Sequence, residues 1–205
     1  MKIITISREF GSGGREIGKR LAEALGFDYY DRELISAIAK NQNLDEDYVE
    51  KVLDNQGAVS APLTFSHSFS SPVAITSTQI GLLLEQNKVI ENIAKRGRDF
   101  VIVGRNADVI LEDYNPFNIF VCANMDAKIR RCEERAEQGE QLSRKKMERK
   151  IKRIDKNRKK SRAILAASTW GDRASYHLIV NTSNWKIQEL IPAIQQFAKH
   201  FWEKT

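Results

Sequence analysis

The chain is poor in cysteine and has no long apolar run. Its two cysteines, Cys122 and Cys132, are too few and wrongly spaced for a disulfide scaffold or a metal site, so we expect reduced thiols. No apolar run reaches the roughly 18 residues that a membrane span requires. The N-terminal residues are not followed by the small-residue pattern of a cleaved signal peptide. These absences predict a cytoplasmic protein that does not act at a membrane.

The composition that is present predicts one domain with a single substantial core. Of the 205 residues, 41% are hydrophobic, which suits one buried core and therefore one domain over residues 1–205. The net charge of +6 is uneven, because residues 143–162 hold twelve Lys or Arg against Glu148 and Asp155. Such a block favours an anionic partner, either nucleotide phosphates or a nucleic-acid backbone, although a solvated helix face would have the same composition.

Hydrophobic patterning alternates between short strands and amphipathic helices. Continuous β-branched runs predict strands at residues 3–6, 100–103, 119–122 and 178–180. Periodic apolar stripes predict helices at 17–25, 80–93, 126–137, 143–162 and 185–202. This order is typical of an α/β protein with a parallel sheet and helices on both faces. Residues 57–75 fit neither pattern, and we expect a long loop over a site or an interface.

A glycine-rich segment, "SREFGSGGREIGKRLAEALG" at residues 7–26, follows the first predicted strand. A dinucleotide fingerprint starting at Gly11 would need glycine where Glu16 stands. A P-loop, G-x-x-x-x-G-K-[ST], fits formally from Gly13 but would unwind the first helix. Beginning the P-loop at Arg8 keeps that helix whole and is therefore favoured, but it places Gly14 in the lysine position.

In the favoured register the backbone can still bind an anion. Glycines allow consecutive N–H groups to face one point, and the helix that follows adds its positive dipole end. Arg8, Arg15 and Lys19 are the nearby sources of positive charge, while Glu16 could cap the helix or orient one of the arginines. The predicted ATP-binding set is Arg8, Gly11, Ser12, Gly13, Gly14, Arg15 and Glu16.

Three motifs in order resemble the cytidylate kinase-like family of P-loop nucleoside-monophosphate kinases. They are "ISREFGSGGREIG", "VIVGRNADVI" and "NIFVCANMDAKIRRCEER". The resemblance implies the three-layer P-loop NTPase fold, with an acceptor-binding or insert region at 31–96 and a helical lid at 139–168. It also implies phosphoryl transfer from ATP to CMP or dCMP with Mg²⁺, and the residues themselves indicate no metal ligand.

The resemblance assigns the acceptor side residue by residue. Arg105 stands where these kinases place an arginine on the acceptor phosphate, a role that suits a guanidinium fork. Asn106 replaces their aspartate. Asp31 matches, but the arginine one turn later in the family falls on Ala37 here, and Arg32 is the nearest replacement.

The lid departs from the family in one position. The family's D-x-x-R recurs as Asp155 and Arg158, but the arginine that precedes it falls on Ile151, so Arg153 would have to replace it. The apolar stripe of this helix continues through Arg158 and Arg162, which indicates a bound phosphate or an internal carboxylate beside them. We therefore expect Arg158 and Arg162, with Arg15 as a further candidate, to be catalytic.

Two functions remain open from the sequence. The first is phosphoryl transfer to a nucleoside monophosphate. The second is a nucleotide-binding regulatory protein that keeps the fold without transfer, which the missing lysine makes reasonable. Nucleic-acid binding through 143–162 is disfavoured because that segment has no interleaved aromatics. The sequence leaves a homo-oligomer open.

Overall fold

A computed structural model describes residues 1–31, 33–53, 77–136 and 142–204. Five β-strands and eight α-helices alternate along these residues, with short 3-10 turns at Glu112–Tyr114 and Arg173–Ser175. The elements in chain order are β1 Ile3–Arg8, α1 Gly14–Leu25, β2 Asp28–Tyr30, α2 Glu33–Gln42, α3 Glu46–Leu53, α4 Ser77–Ala94, β3 Phe100–Val103, α5 Ala107–Ile110, β4 Phe117–Cys122, α6 Met125–Glu134, α7 Arg144–Leu165, β5 Leu178–Asn181 and α8 Ile187–Lys204.

The strands form one parallel sheet in the order β2-β3-β1-β4-β5. The central strand, β1, pairs through Ile3 with Phe100 of β3 and through Ile4 with Phe117 of β4. All residues of β1 and β3 are buried, as expected for strands that are covered on both faces. The predicted parallel sheet is confirmed.

Helices cover both faces of this sheet, and successive residues of a strand pack against opposite faces. Ile3 and Ile102 pack with α2, α3 and α4, whereas Ile4 and Val103 pack with α1 and α8. Because successive strand residues face opposite sides, two apolar cores form with the sheet between them. A third, smaller cluster joins α6 to α7 beside Phe10. The predicted three-layer arrangement is therefore confirmed.

Some elements differ from the sequence prediction. The patterning did not predict β2, α2 or α3. The strand β2 has only three half-buried residues and lies at the sheet edge, so its apolar pattern is weak. The predicted loop at 57–75 lies outside the described residues, as does the start of the predicted lid region. None of the helices that the structure describes is long and apolar enough to cross a membrane.

Candidate functional site

The glycine-rich segment forms a loop between β1 and α1. Since β1 ends at Arg8 and α1 begins at Gly14, the register that keeps the first helix whole is the observed one. Gly11 and Gly13 have φ of 75° and 86°, values that favour glycine. A Cβ on Gly11 would lie 2.9 Å from the Lys128 carbonyl oxygen, and one on Gly13 would lie 2.5 Å from Ile187 Cδ1. The loop thus needs glycine for both conformation and space.

Buried polar side chains hold the loop from the side of β5. Thr182 Oγ1 donates to the Ser12 carbonyl oxygen at 2.7 Å, and Arg131 donates to Thr182 Oγ1 at 3.1 Å. Ser12 Oγ in turn donates to the Glu9 carbonyl oxygen at 2.8 Å. Burial lowers the pKa of the Arg131 guanidinium. Arg131 and Thr182 were not predicted from the sequence, although Arg131 lies in the motif "NIFVCANMDAKIRRCEER".

A cluster of three charged side chains, in which Lys128 is buried and the two carboxylates are partly buried, connects the loop to α6 and α7. Lys128 Nζ lies 2.7 Å from Glu9 Oε2 and 3.2 Å from Asp155 Oδ2. Asp155 also accepts the Phe10 N–H at 2.7 Å, and Glu9 accepts the Ala123 N–H at 3.1 Å. Burial raises the pKa of the Asp155 carboxyl, opposed by the Phe10 N–H and by Lys128. Asp155, which the resemblance places in the D-x-x-R of the lid, joins α7 to the glycine loop, and a role for it in substrate binding stays a prediction.

Arg8 extends from the end of β1 across the start of α1. A Cβ on Gly14 would lie 2.6 Å from Arg8 Cβ, and one on Gly104 would lie 1.5 Å from Arg8 Nη1. Arg8 Nη2 lies 3.8 Å from Asp31 Oδ1, while Arg15 Nε lies 2.7 Å from Asp31 Oδ2. The predicted residues Arg8, Arg15 and Asp31 therefore lie together.

Arg105 lies in a left-handed turn that follows β3. Gly104, Arg105 and Asn106 have φ of 79°, 60° and 53°. Arginine rarely adopts such a value, whereas asparagine adopts it more often. The buried Gln86 side chain donates to the Arg105 carbonyl oxygen at 3.0 Å and fixes this turn. Strained backbone of this kind is concentrated at functional sites. Gln86, which lies in α4, gave no signal in the sequence.

Two clefts meet at this place. The loop cleft is bounded by the glycine loop, α6 and α7, and the turn cleft is bounded by the 104–106 turn, α3 and α4. Arg8, Arg105 and Arg158 line both clefts. The Arg and Lys residues that line the loop cleft are Arg8, Arg15, Arg105, Arg131, Arg135, Lys150 and Arg158. With Glu9 as the acidic residue among its lining, the loop cleft suits a polyanion.

The two predicted lid arginines have different environments. Arg158 Nη1 donates to the Arg8 carbonyl oxygen at 2.9 Å, and its guanidinium lies 5.8 Å from the centre of the Phe10 ring. Arg162 instead pairs with Asp108 inside the protein and donates to Ser168 Oγ at 2.9 Å. The stripe predicted both arginines to face inward, which is confirmed. The structure brings Arg158 to the loop but does not bring Arg162 there.

Of the remaining predicted residues that the structure describes, Asn106 lines a cleft, whereas Glu16 and Arg153 are not among the residues that line either cleft. Asn106 lines the turn cleft and begins α5. Glu16 makes no capping hydrogen bond and pairs with Arg20 and Arg135, so it neither caps α1 nor orients Arg8 or Arg15. Arg153 is exposed on α7, away from the residues that line the two clefts. Arg32 lies outside the described residues.

The described part of the chain contains two free cysteines and no cluster of metal-ligating side chains. Cys122 and Cys132 are both free cysteines, and burial raises the pKa of each thiol. Within the described ranges, no group of three or more His, Cys, Asp or Glu side chains is placed to hold a metal ion. The charged groups that line the loop cleft are mainly guanidinium groups.

Comparison with known proteins gives one family match and several similar structures. The model of the cytidylate kinase-like family matches residues 3–184, whereas no curated protein matches. The crystal structure of an uncharacterized protein from Eubacterium ventriosum is similar with a TM-score of 0.71 and 26% identity, covering 97% of this chain and 99% of that one.

Kinases that are more distant in sequence share the fold. Shikimate kinase from Bacteroides thetaiotaomicron has a TM-score of 0.57 and 16% identity, over 97% of this chain and 98% of that one. Shikimate kinase from Acinetobacter baumannii, solved in complex with shikimate, has a TM-score of 0.54 and 15% identity, over 96% and 92%. At these identities the likeness shows the fold alone, which is that of the P-loop kinases.

Proposed function

Since the chain belongs to the cytidylate kinase-like family, we propose that it transfers a phosphoryl group from ATP to a nucleoside monophosphate, with CMP or dCMP as the favoured acceptor. The observation that carries this proposal is the junction of the loop cleft and the turn cleft at Arg8, Arg105 and Arg158. Two phosphorylated substrates, one in each cleft, would bring their phosphates together among these three guanidinium groups.

The loop cleft is the proposed site for ATP. Gly11 and Gly13 allow the left-handed turns of the loop, and α1 begins directly after it, which suits an anion. Arg15 lines the same cleft. Mg²⁺ enters the proposal as the ion that accompanies the ATP phosphates, because kinases hold Mg²⁺ through substrate phosphate oxygens and water together with one or two carboxylates and not through an all-protein site. It would neutralise part of the charge that develops during transfer.

The turn cleft is the proposed site for the acceptor. Arg105 follows β3 in a turn that the Gln86 hydrogen bond fixes, so the backbone that carries its guanidinium has a defined position. The described residues that line this cleft are arginine, serine, leucine, glutamine, glycine, asparagine and tryptophan, without a carboxylate among them. A hydroxyl acceptor uses a carboxylate to receive or orient its proton, whereas a phosphate acceptor is already ionised. This lining therefore supports a phosphate acceptor.

Arg158 is the proposed lid residue at the transferring group. It lies on α7, reaches the loop through the Arg8 carbonyl oxygen and lines both clefts. Guanidinium groups placed around the equatorial oxygens stabilise the charge of the transition state in phosphoryl transfer. Arg162 is left out of this role because Asp108 pairs with it in the interior.

A second candidate function is nucleotide binding without transfer. The observation that favours it is Gly14, since a P-loop normally places at this position the lysine that reaches the β- and γ-phosphates. A protein of this kind would bind ATP in the loop cleft and respond to it by a change in conformation or partner.

One experiment separates the two candidates. The protein is incubated with ATP, Mg²⁺ and, in turn, CMP, dCMP, UMP, AMP or GMP, and ADP release is measured against a reaction that lacks acceptor. Calorimetric titration with ATP accompanies each reaction. We expect ADP release with CMP or dCMP above the acceptor-free rate. ATP binding without ADP release for every acceptor would refute transfer and favour the regulatory function.

A further inference from the structure

Arg8 and Gly14 share one side-chain space. An ideal Cβ on Gly14 would lie 2.6 Å from Arg8 Cβ and 3.0 Å from Arg8 Cγ. Gly14 is the first residue of α1 and is not among the residues with positive φ, so its backbone is accessible to any amino acid. What excludes a side chain at position 14 is therefore the Arg8 side chain and not the conformation.

The residue types at these two positions are exchanged relative to a standard P-loop. The pattern G-x-x-x-x-G-K begins with glycine and has its lysine at the seventh position. In the observed register this chain has Arg8 at the first position and Gly14 at the seventh. A lysine at the seventh position and an arginine at the first would compete for the same volume, since their Cβ atoms would overlap.

We propose that Arg8 replaces the P-loop lysine, so that the cation for the phosphates of ATP enters the same space from the end of β1 and not from the start of α1. This inference rests on the proposed function, because it assigns a residue of the proposed ATP site. It also gives Arg8, one of the nearby charges in the sequence analysis, a specific role beside that proposed for Arg158.

The end of the Arg8 side chain lies at the junction of the two clefts. Its Nη1 atom lies 1.5 Å from the point that a Cβ on Gly104 would occupy, and Gly104 has φ of 79°. A second glycine thus leaves room for the guanidinium, as Gly14 leaves room for the start of the side chain. Arg8 lines both the loop cleft and the turn cleft, which is where a transferring phosphoryl group would lie.

The electrostatics around Arg8 favour a bound anion over a purely structural ion pair. Burial lowers the pKa of the Arg8 guanidinium, the neighbouring Arg158 lowers it further, and Asp31 opposes this. Asp31 lies 3.8 Å from Arg8 but only 2.7 Å from Arg15, so its nearer partner is Arg15. An arginine remains charged even when it is buried. Phosphate oxygens at the cleft junction would compensate this charge.

The shared space is tested by stability alone. Gly14→Ala, Arg8→Gly and the double variant are unfolded with urea beside the parent protein. We expect Gly14→Ala to lower the unfolding midpoint in the parent, because its Cβ would meet Arg8 Cβ at 2.6 Å. In the Arg8→Gly background, where position 8 has no Cβ, the same change should leave the midpoint unchanged or raise it, since alanine favours a helix over glycine. Equal losses in both backgrounds would overturn the shared space.

The role of the charge is tested by moving it back. Arg8→Met keeps much of the side-chain volume without the charge, and we expect it to lower turnover by about 100-fold or more, the usual loss for one removed electrostatic contact. Arg8→Gly should lose as much. The double variant Arg8→Gly/Gly14→Lys, which has the glycine and the lysine of a standard P-loop at these two positions, should regain at least about tenfold over Arg8→Gly. Arg96→Ala, an exposed arginine after α4, is the matched control and should retain parental turnover.

Failure of this inference differs from failure of the proposed function. If the parent transfers no phosphoryl group to any acceptor, the same variants are titrated with ATP by calorimetry. Weakened ATP binding in Arg8→Gly that is restored in Arg8→Gly/Gly14→Lys would still support the exchange. A folded double variant that matches Arg8→Gly in both turnover and ATP affinity would overturn it.

Discussion

Replacing Lys128 with methionine should destabilise the protein through its buried charge cluster. Lys128 Nζ lies within 2.7 Å of Glu9 Oε2 and 3.2 Å of Asp155 Oδ2, and the lysine side chain is only 7% exposed. Methionine keeps an apolar stem of similar length but removes the cation between the two carboxylates. The loop and α7 would then meet through two carboxylates, Glu9 and Asp155, which repel each other when both are ionised.

The size of the effect follows from what remains around each carboxylate. Breaking a buried ion pair typically costs 3–5 kcal/mol, so about 3 kcal/mol is the expected loss. The lower end applies because Glu9 is 25% exposed and keeps the Ala123 N–H, while Asp155 keeps the Phe10 N–H. For a chain of this length the loss corresponds to a melting temperature about 6–12 °C lower.

The pH dependence of the stability loss provides a second, independent test of this prediction. Burial raises the pKa of Asp155, so the native state holds this proton more tightly than the unfolded chain does. The stability that this proton contributes is lost as pH rises from the carboxyl pKa of the unfolded chain through the higher pKa of the native state. Lys128 is one of the groups that lower this pKa, so removing it raises the pKa further. Lys128→Met should therefore lose less stability at about pH 5 than at about pH 8.

Urea unfolding followed by circular dichroism at both pH values measures the effect, with Lys128→Arg as the variant that keeps the charge. Lys95→Met, which removes a lysine with a 63% exposed side chain, is the matched control and should change stability little. A loss below about 1 kcal/mol, or an equal loss at both pH values, would refute a buried charge cluster of this strength.

Three substitutions in the clefts have distinct expected outcomes. Arg105→Ala should weaken acceptor binding by roughly 1.5–3 kcal/mol with a smaller effect on ATP, as measured by calorimetry; equal losses for both ligands would count against the acceptor role. Arg158→Ala should lower turnover about 100-fold with little change in ATP affinity, and unchanged turnover would remove it from the transfer step. Arg162→Ala should instead lower stability by about 3 kcal/mol or more, because Asp108 would remain buried without its cation; thermal unfolding checks this, and an unchanged midpoint would contradict it.

Much of the fold could be predicted because its central strands are buried on both faces. Such strands must be apolar without interruption, and this made β1 and β3 visible in the sequence. The short edge strand β2 has no such requirement, and its residues Asp28–Tyr30 are only half-buried. The loop register was also predictable, since the helix stripe beginning at Ile17 excluded the alternative.

The contacts that organise the site could not be predicted in the same way. Lys128 pairs with Glu9 across 119 positions of sequence, and neither residue belongs to a motif that specifies a partner. Gln86 reaches the Arg105 carbonyl oxygen from a helix whose stripe predicts only packing. Periodicity determines which face a residue occupies but contains no information on which other element meets that face.

Arg158 and Arg162 show where this limit lies. One turn apart on α7, they share the inward stripe, and the sequence left a phosphate and an internal carboxylate as alternatives for both. In the structure one arginine reaches the loop through the Arg8 carbonyl oxygen, and the other meets Asp108 of α5. Four residues advance a helix by about 6 Å, which is enough to pass from the edge of a cleft into the interior. The neighbouring element at each height therefore decides which groups each arginine meets, so two arginines with the same sequence signal have different partners.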